Sequence, residues 1–290
     1  VNDESNMSDR TFHAPIRLGI STCPNDTFAF HGLLNHEVDW RGLEFQVELL
    51  DIQQLNNALF AGEFDIAKAS FHAALRLASS CFILPSGSAL GFGVGPLLLA
   101  AESGILPQPG NAQRTLCPGE HTTAALLFQL FYPGCTRLEH VVFSEIMPSL
   151  QNKTADFGVC IHEGRFTWQR EGLALVEDLG TRWERETKCP LPLGGILARR
   201  RLSNDVIGRV QAVIRDSIDF ALSDPSAAMP TMRTYSQEFD EEVLMQHVHL
   251  YVNEWTRDLG VEGRLALAEL SRQAVKHGIS SADEPIEIFG

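Results

Sequence analysis

Four times along this chain a short apolar run ends in a polar turn that opens a helix, and this repeat constrains the fold more than any other feature. The alternation of apolar strand and amphipathic helix argues for an α/β protein built on parallel sheets. Residues 16–20 read as a strand, Ser21-Thr-Cys-Pro-Asn-Asp26 as a turn, and 27–38 as a helix with Asn25 or Asp26 as its N-cap. Residues 64–67 run into Lys68-Ala69-Ser70, where Ser70 can cap a helix over 71–79. Thr115-Leu-Cys117 meets the turn Pro118-Gly119, and His121-Thr122-Thr123 opens a helix over 124–131. The fourth run, 157–161, ends in His162-Glu163-Gly164-Arg165. Ligands of open α/β sheets bind beyond the carboxyl ends of the strands, where all four polar turns fall.

The stretch between the second and third units differs. Gly87, Gly91, Gly93 and Gly95 precede the apolar run 96–101. The spacing fails the dinucleotide fingerprint, which needs its glycines after a strand and at a helix start, and no Gly-Lys-Ser/Thr follows. The run reads as an extended crossover between two lobes, and 193–198 as the return crossover. The expected organisation is a loose tail over 1–14, a first lobe of 15–100 plus 199–290, and a second lobe of 101–198, each a sheet flanked by helices with a cleft between. Beyond Arg201 the pattern is helical: 205–222 capped by Asn204, then 226–235, 240–253 and 260–277, all packing back on the first lobe.

The formal net charge of −14 excludes the basic footprint that nucleic-acid binding needs. Arg199-Arg200-Arg201 reads as a solvated strand end. An anionic small molecule would need local help from helix N-termini to enter so acidic a chain. No run approaches the roughly 20 apolar residues that span a bilayer. The N-terminal residues lack the apolar stretch of a signal peptide, so a cytoplasmic protein is expected. The six cysteines are scattered without a Cys-x-x-Cys pair, which argues against structural zinc and for free thiols. His247-Val-His249 places two imidazoles two residues apart, on different helix faces, and reads as packing rather than metal binding.

Together the strings Leu18-Gly-Ile-Ser-Thr-Cys-Pro-Asn-Asp-Thr-Phe28, Lys68-Ala-Ser70, Gly119-Glu-His-Thr-Thr-Ala124, Ile161-His-Glu-Gly-Arg-Phe166 and Leu191-Pro-Leu-Gly-Gly-Ile-Leu-Ala-Arg199 resemble the 1,4-dihydroxy-6-naphthoate synthase family. The resemblance keeps their order and runs from about Ile16 to the last helices. The first and third strings are specific, and the fourth alone is weak. Two departures stand out: the polar tail, and Gly164, where serine is common in the family. The resemblance implies a type II periplasmic-binding-protein-like fold used as a cytoplasmic lyase of the futalosine route to menaquinone. It implies cyclic dehypoxanthinylated futalosine as substrate, 1,4-dihydroxy-6-naphthoate as product, and neither metal nor organic cofactor.

In that resemblance His162 matches the catalytic base. Imidazole suits removal of a proton beside a carbonyl near neutral pH, although by itself His162 reads as a hydrogen-bonded histidine at a sheet edge. Thr123 and Ala124 match substrate-contacting positions, at a helix start whose unpaired N–H groups suit a carboxylate. Lys68, Ala69 and Ser70 match the other contacting stretch, with Lys68 a candidate source of charge. Asn25 and Asp26 are expected to line the cleft from the first lobe. Arg165 can pair with Glu163 or reach the ligand. The rival readings are a chorismate dehydratase of the same pathway and a non-catalytic solute-binding protein of the same fold.

Overall fold

The computed structural model describes residues 14–110, 112–161, 164–236, 240–281, 283 and 285–290. The first part of the chain holds β1 (Ile16–Ser21), α1 (Pro24–Ala29), α2 (His31–Leu34), β2 (Phe45–Leu50), α3 (Ile52–Ala61), β3 (Ile66–Ser70), α4 (Phe71–Arg76), β4 (Cys81–Ile83) and β5 (Ala89–Gly91). The middle part holds β6 (Leu97–Ala100), β7 (Arg114–Cys117), α5 (Thr123–Phe131), β8 (Arg137–His140), α6 (Ile146–Gln151), β9 (Phe157–Cys160), α7 (Gly164–Thr167), β10 (Ala174–Asp178) and α8 (Leu179–Thr187). β11 (Leu191–Arg199) leads to α9 (Asn204–Ser223), α10 (Met229–Tyr235), α11 (Glu241–Tyr251), α12 (Glu254–Arg257) and α13 (Gly260–Lys276).

Two sheets result. The first runs β2-β1-β3-β11-β4, with β5 also paired to β11, and the second runs β10-β6-β9-β7-β8. Both are mixed rather than parallel. β1 is parallel to β2 and β3, and β7 to β8 and β9, but β11 is antiparallel to β3, β4 and β5, and β6 to β9 and β10. The runs expected as crossovers are therefore strands: Leu97–Ala100 belongs to the second sheet and Leu191–Arg199 to the first. The chain passes between sheets just before each. Gly95 and Gly180 meet backbone to backbone there, and a Cβ on Gly95 would lie 2.2 Å from the Gly180 Cα.

Local chemistry sets most element ends. Asp51 and Gln54 form a capping box on α3, which ends at Gly62 with φ +79°. Thr122 caps α5 and Asp178 caps α8. On α9 the cap is Ser203, one residue before the expected Asn204, and the helix stops ahead of Pro225. One face of the first sheet packs Leu18, Ile20 and Ile196 against Leu33, Val210 and Ile214 of α2 and α9. The opposite face joins a core continuous with the second sheet, through Leu55, Phe71, Leu126 and Phe157. The C-terminal helices sit on α1, packing Leu244 and Val248 against Phe28. The last residues return as an edge, with Ile288 bridging Ile83 in parallel. Arg199 is not a solvated strand end: it is buried and donates to the carbonyls of Leu59 and Phe64.

Candidate active site

Three of the four strand–turn–helix units bring their turns to one place, and the fourth brings the end of its strand there. Ser21, Ser70 and Ile161 at or just past the ends of β1, β3 and β9, and Thr122 beyond β7, line a cleft of about 680 Å³ between the sheets, mouth included. Of the residues expected in the site, Asn25, Asp26, Lys68, Ser70, Thr123 and Ala124 all line it. Ala69 does not: successive strand residues face opposite ways, and Ala69 is packed in the core. His162, the expected base, lies outside the described residues, as does Glu163. Its neighbour Ile161 reaches the cleft.

The first-sheet wall is a buried polar network. Lys68 Nζ lies 2.6 Å from Asp26 Oδ1 and donates to the Gly87 carbonyl at 2.9 Å. Asp26 also accepts from Ser21 Oγ at 2.5 Å and from Asn25 Nδ2 at 3.0 Å. Lys68 and Asp26 are the formally charged side chains among the described lining residues, and they neutralise each other. Lys68 therefore brings no net charge to the cleft. Asn25 and Asp26 are not caps either: Cys23 holds the N-cap position of α1, Pro24 follows, and both sit inside the first turn. Ser70 occupies the N-cap position of α4, but its side chain does not cap. Its Oγ accepts from Asn56 Nδ2 at 3.1 Å, while its N–H donates to Asn56 Oδ1 at 2.9 Å.

The facing wall is the start of α5. Thr122 Oγ1 accepts from the Ala125 N–H at 3.2 Å and donates to the Gly119 carbonyl at 2.9 Å. Thr123 Oγ1 donates to the Leu193 carbonyl at 2.6 Å. The N–H groups of Thr123 and Ala124, in the first turn, have no intrahelical acceptor. They give the cleft a fixed positive end that suits an oxyanion. His72 stands behind this turn, its Nδ1 3.2 Å from the Thr122 carbonyl. Burial drives its pKa down to about 4, only partly opposed by that carbonyl. Burial likewise pushes the Cys160 thiol up to about 12 and raises that of Cys117, so both are unreactive at neutral pH. All six cysteines are free.

Arg165 does not reach the ligand space. It pairs with Asp178 at 2.8 Å and donates to the Gly95 carbonyl, tying α7 to the chain crossing. No group of three or more His, Cys, Asp or Glu side chains arranged for a metal occurs among the described residues. The sequence reading missed one lining element. His247 and Tyr251 of α11 stand in the cleft wall, and His247 Nε2 lies 3.0 Å from Asn25 Oδ1. His249 is exposed. The two-residue spacing rightly separated the imidazoles, but nothing local tied His247 to Asn25, which lies far away in sequence.

A family model described as menaquinone biosynthesis matches residues 16–276, and the chain belongs to that family. It is 40% identical over 274 residues to the 1,4-dihydroxy-6-naphthoate synthase of Thermus thermophilus, covering 94% of this chain and 98% of that one. It is 36% identical over 275 residues to the Streptomyces coelicolor protein of the same name, covering 93% and 96%. A solved Archaeoglobus fulgidus protein superposes with a TM-score of 0.85 at 32% identity, over 91% of this chain and 98% of that chain. The alkanesulfonate-binding protein of Xanthomonas axonopodis pv. citri, solved with MOPS, gives a TM-score of 0.70 at 11% identity, over 94% and 96%. The fold is that of periplasmic binding proteins.

Proposed function

We propose that the protein is a 1,4-dihydroxy-6-naphthoate synthase, a lyase that cleaves cyclic dehypoxanthinylated futalosine in the futalosine route to menaquinone. The observation that carries this reading is a cleft that lies between the two sheets and is walled by the same turns that carry the family strings. Its apolar wall residues, Ile52, Val94, Pro96, Ile161 and Leu193, suit a flat ring system. The start of α5 suits the carboxylate of an anionic substrate. His162 takes the proton beside the carbonyl. The electron pair left behind forms a ring double bond as the carbon–carbon bond to the sugar-derived part breaks, that fragment leaves with the broken bond's electrons and takes up a proton, and formation of the aromatic naphthoate favours release. The two sheets with their helices act as lobes that close on the substrate and exclude water, with β6 to β10 in the second lobe and β1 to β5, β11 and the C-terminal helices in the first, so the lobe boundaries fall before β6 and before β11 rather than at 100 and 199. We place the reaction in the cytoplasm, which suits six free thiols.

Incubation with cyclic dehypoxanthinylated futalosine, followed by chromatography for the naphthoate, tests the reading. Product from the parent and almost none from a folded His162→Ala variant is the expected result. Product from both moves the base elsewhere. No product from either, with chorismate consumed instead, replaces the reaction by chorismate dehydration. Ligand returned unchanged in every case leaves a binding protein.

A further inference from the structure

The cleft contains a histidine that the proposed chemistry does not use. His247 is 2% exposed and yet forms part of the wall, brought there by the C-terminal helix α11. Its ring packs against Tyr251 one turn along the helix, centroids 4.5 Å apart, and faces Phe166 of α7 at 6.4 Å. Its Nε2 lies 3.0 Å from Asn25 Oδ1. The other end of the same carboxamide, Nδ2, donates to Asp26 Oδ1, which in turn holds Lys68. This order fixes the chemistry. The amide must present its N–H to the carboxylate and its carbonyl to the ring. A carbonyl oxygen only accepts, so His247 Nε2 carries a hydrogen whether the ring is neutral or charged.

We propose that His247 is a positioning residue of the active site: through Nε2–H it holds the Asn25 carboxamide, and with Asp26 it sets the face that Asn25 presents to the substrate. The inference deepens the lyase reading and rests on it for its kinetic consequence, but not for its geometry. Because both protonation states donate from Nε2, the function of His247 does not depend on its titration. A residue 222 positions downstream of Asn25 thus completes a wall otherwise made by the first two strand–helix units.

The first test reads geometry alone. In the full-length protein labelled with 15N-histidine, the His247 ring is expected as the Nε2–H tautomer, shifting toward a mixture in Asn25→Ala. A ring found as Nδ1–H overturns the inference. This readout holds even if the parent makes no naphthoate, an outcome that sinks the lyase reading and leaves the tautomer to decide the inference. The second test is kinetic. His247→Phe keeps a ring but strands the Asn25 oxygen, and is expected to lower kcat/KM about 10- to 100-fold, mainly through KM. His247→Gln puts an amide N–H near the lost Nε2–H and is expected within about 5-fold of the parent, with the pH profile unchanged. Asn25→Ala with His247→Phe should cost no more than the worse single variant, because both act through one contact. Parent-like kinetics in a folded His247→Phe overturns positioning. A His247→Gln enzyme as impaired as His247→Phe, with its acid limb altered, overturns it in favour of proton transfer by His247 itself.

Discussion

Replacing Lys68 by methionine tests whether the polar wall of the cleft is held by a buried ion pair. Both partners have side chains only 5% exposed, so water screens their interaction little. Removing one partner of such a pair strands the other charge and costs about 3–5 kcal/mol. Asp26 would keep the Ser21 hydroxyl and the Asn25 amide as donors, which places Lys68→Met near the lower end, about 3 kcal/mol. At about 2.1 cal/mol/K per residue, a chain of 290 residues unfolds with an entropy of about 0.6 kcal/mol/K. The melting temperature of Lys68→Met should therefore fall by about 5 °C. Adding Asp26→Asn removes the stranded charge, and the double variant should recover at least half of that loss. Calorimetry at pH 7 on the parent, both single variants and the double variant measures all terms. A Lys68→Met protein melting within a degree of the parent would refute the reasoning. So would a double variant as unstable as the sum of its parts, because the two losses would then be independent rather than shared by one pair.

Acid should weaken the fold through His72. Its folded pKa of about 4 lies below the ordinary 6.5, so the unfolded chain binds that proton first as pH falls. Its contribution is complete above pH 6.5 and is lost between there and pH 4, about 3 kcal/mol in all, and His72→Gln should flatten that limb of a stability–pH curve. The limb would be unchanged if the ring were hydrated. At the chain crossing, Gly95→Ala should destabilise by about 2 kcal/mol or more in urea unfolding, since its Cβ meets the Gly180 backbone rather than a side chain that can turn away. An unchanged midpoint there would show that the two segments separate at little cost.

The turns after β1, β3 and β7 were legible because the signals are local. A strand that ends in Ser, Thr or Asn before a helix writes its own geometry, and the ends of β1, β3, β7 and β9 all meet at the cleft. Sheet order was not legible. β11 lies between β3 and β4 only through pairings more than one hundred residues apart in sequence, and an apolar run such as Leu97–Ala100 reads alike as crossover or antiparallel strand. The charge state of the site was hidden for the same reason. Lys68 looks like a free cation until Asp26, 42 residues earlier, is seen to hold it. His247 reads from the sequence as a packing residue, and its place in the cleft wall is hidden there because its partner Asn25 belongs to the opposite end of the chain.

The pairing of Lys68 with Asp26 changes what can draw an anion into this cleft. A chain of net charge −14 repels an anion at long range, and an unpaired buried lysine would be the simplest local remedy. Here the lysine is spent inside the wall, and its second donor contact goes to the Gly87 carbonyl. What remains is the start of α5, a fixed set of N–H groups on the opposite face. Such a site attracts weakly at a distance but binds by directional hydrogen bonds at contact. It also carries no proton to lose, whereas the nearby imidazole of His72 stays neutral down to about pH 4. The cleft thus separates its tasks. On the proposed reading backbone dipoles hold charge, a neutral salt-bridged network holds shape, and proton transfer falls to the histidine that follows β9. Because the anchoring charge does not titrate, the pH dependence of turnover should report the base rather than the binding of the substrate.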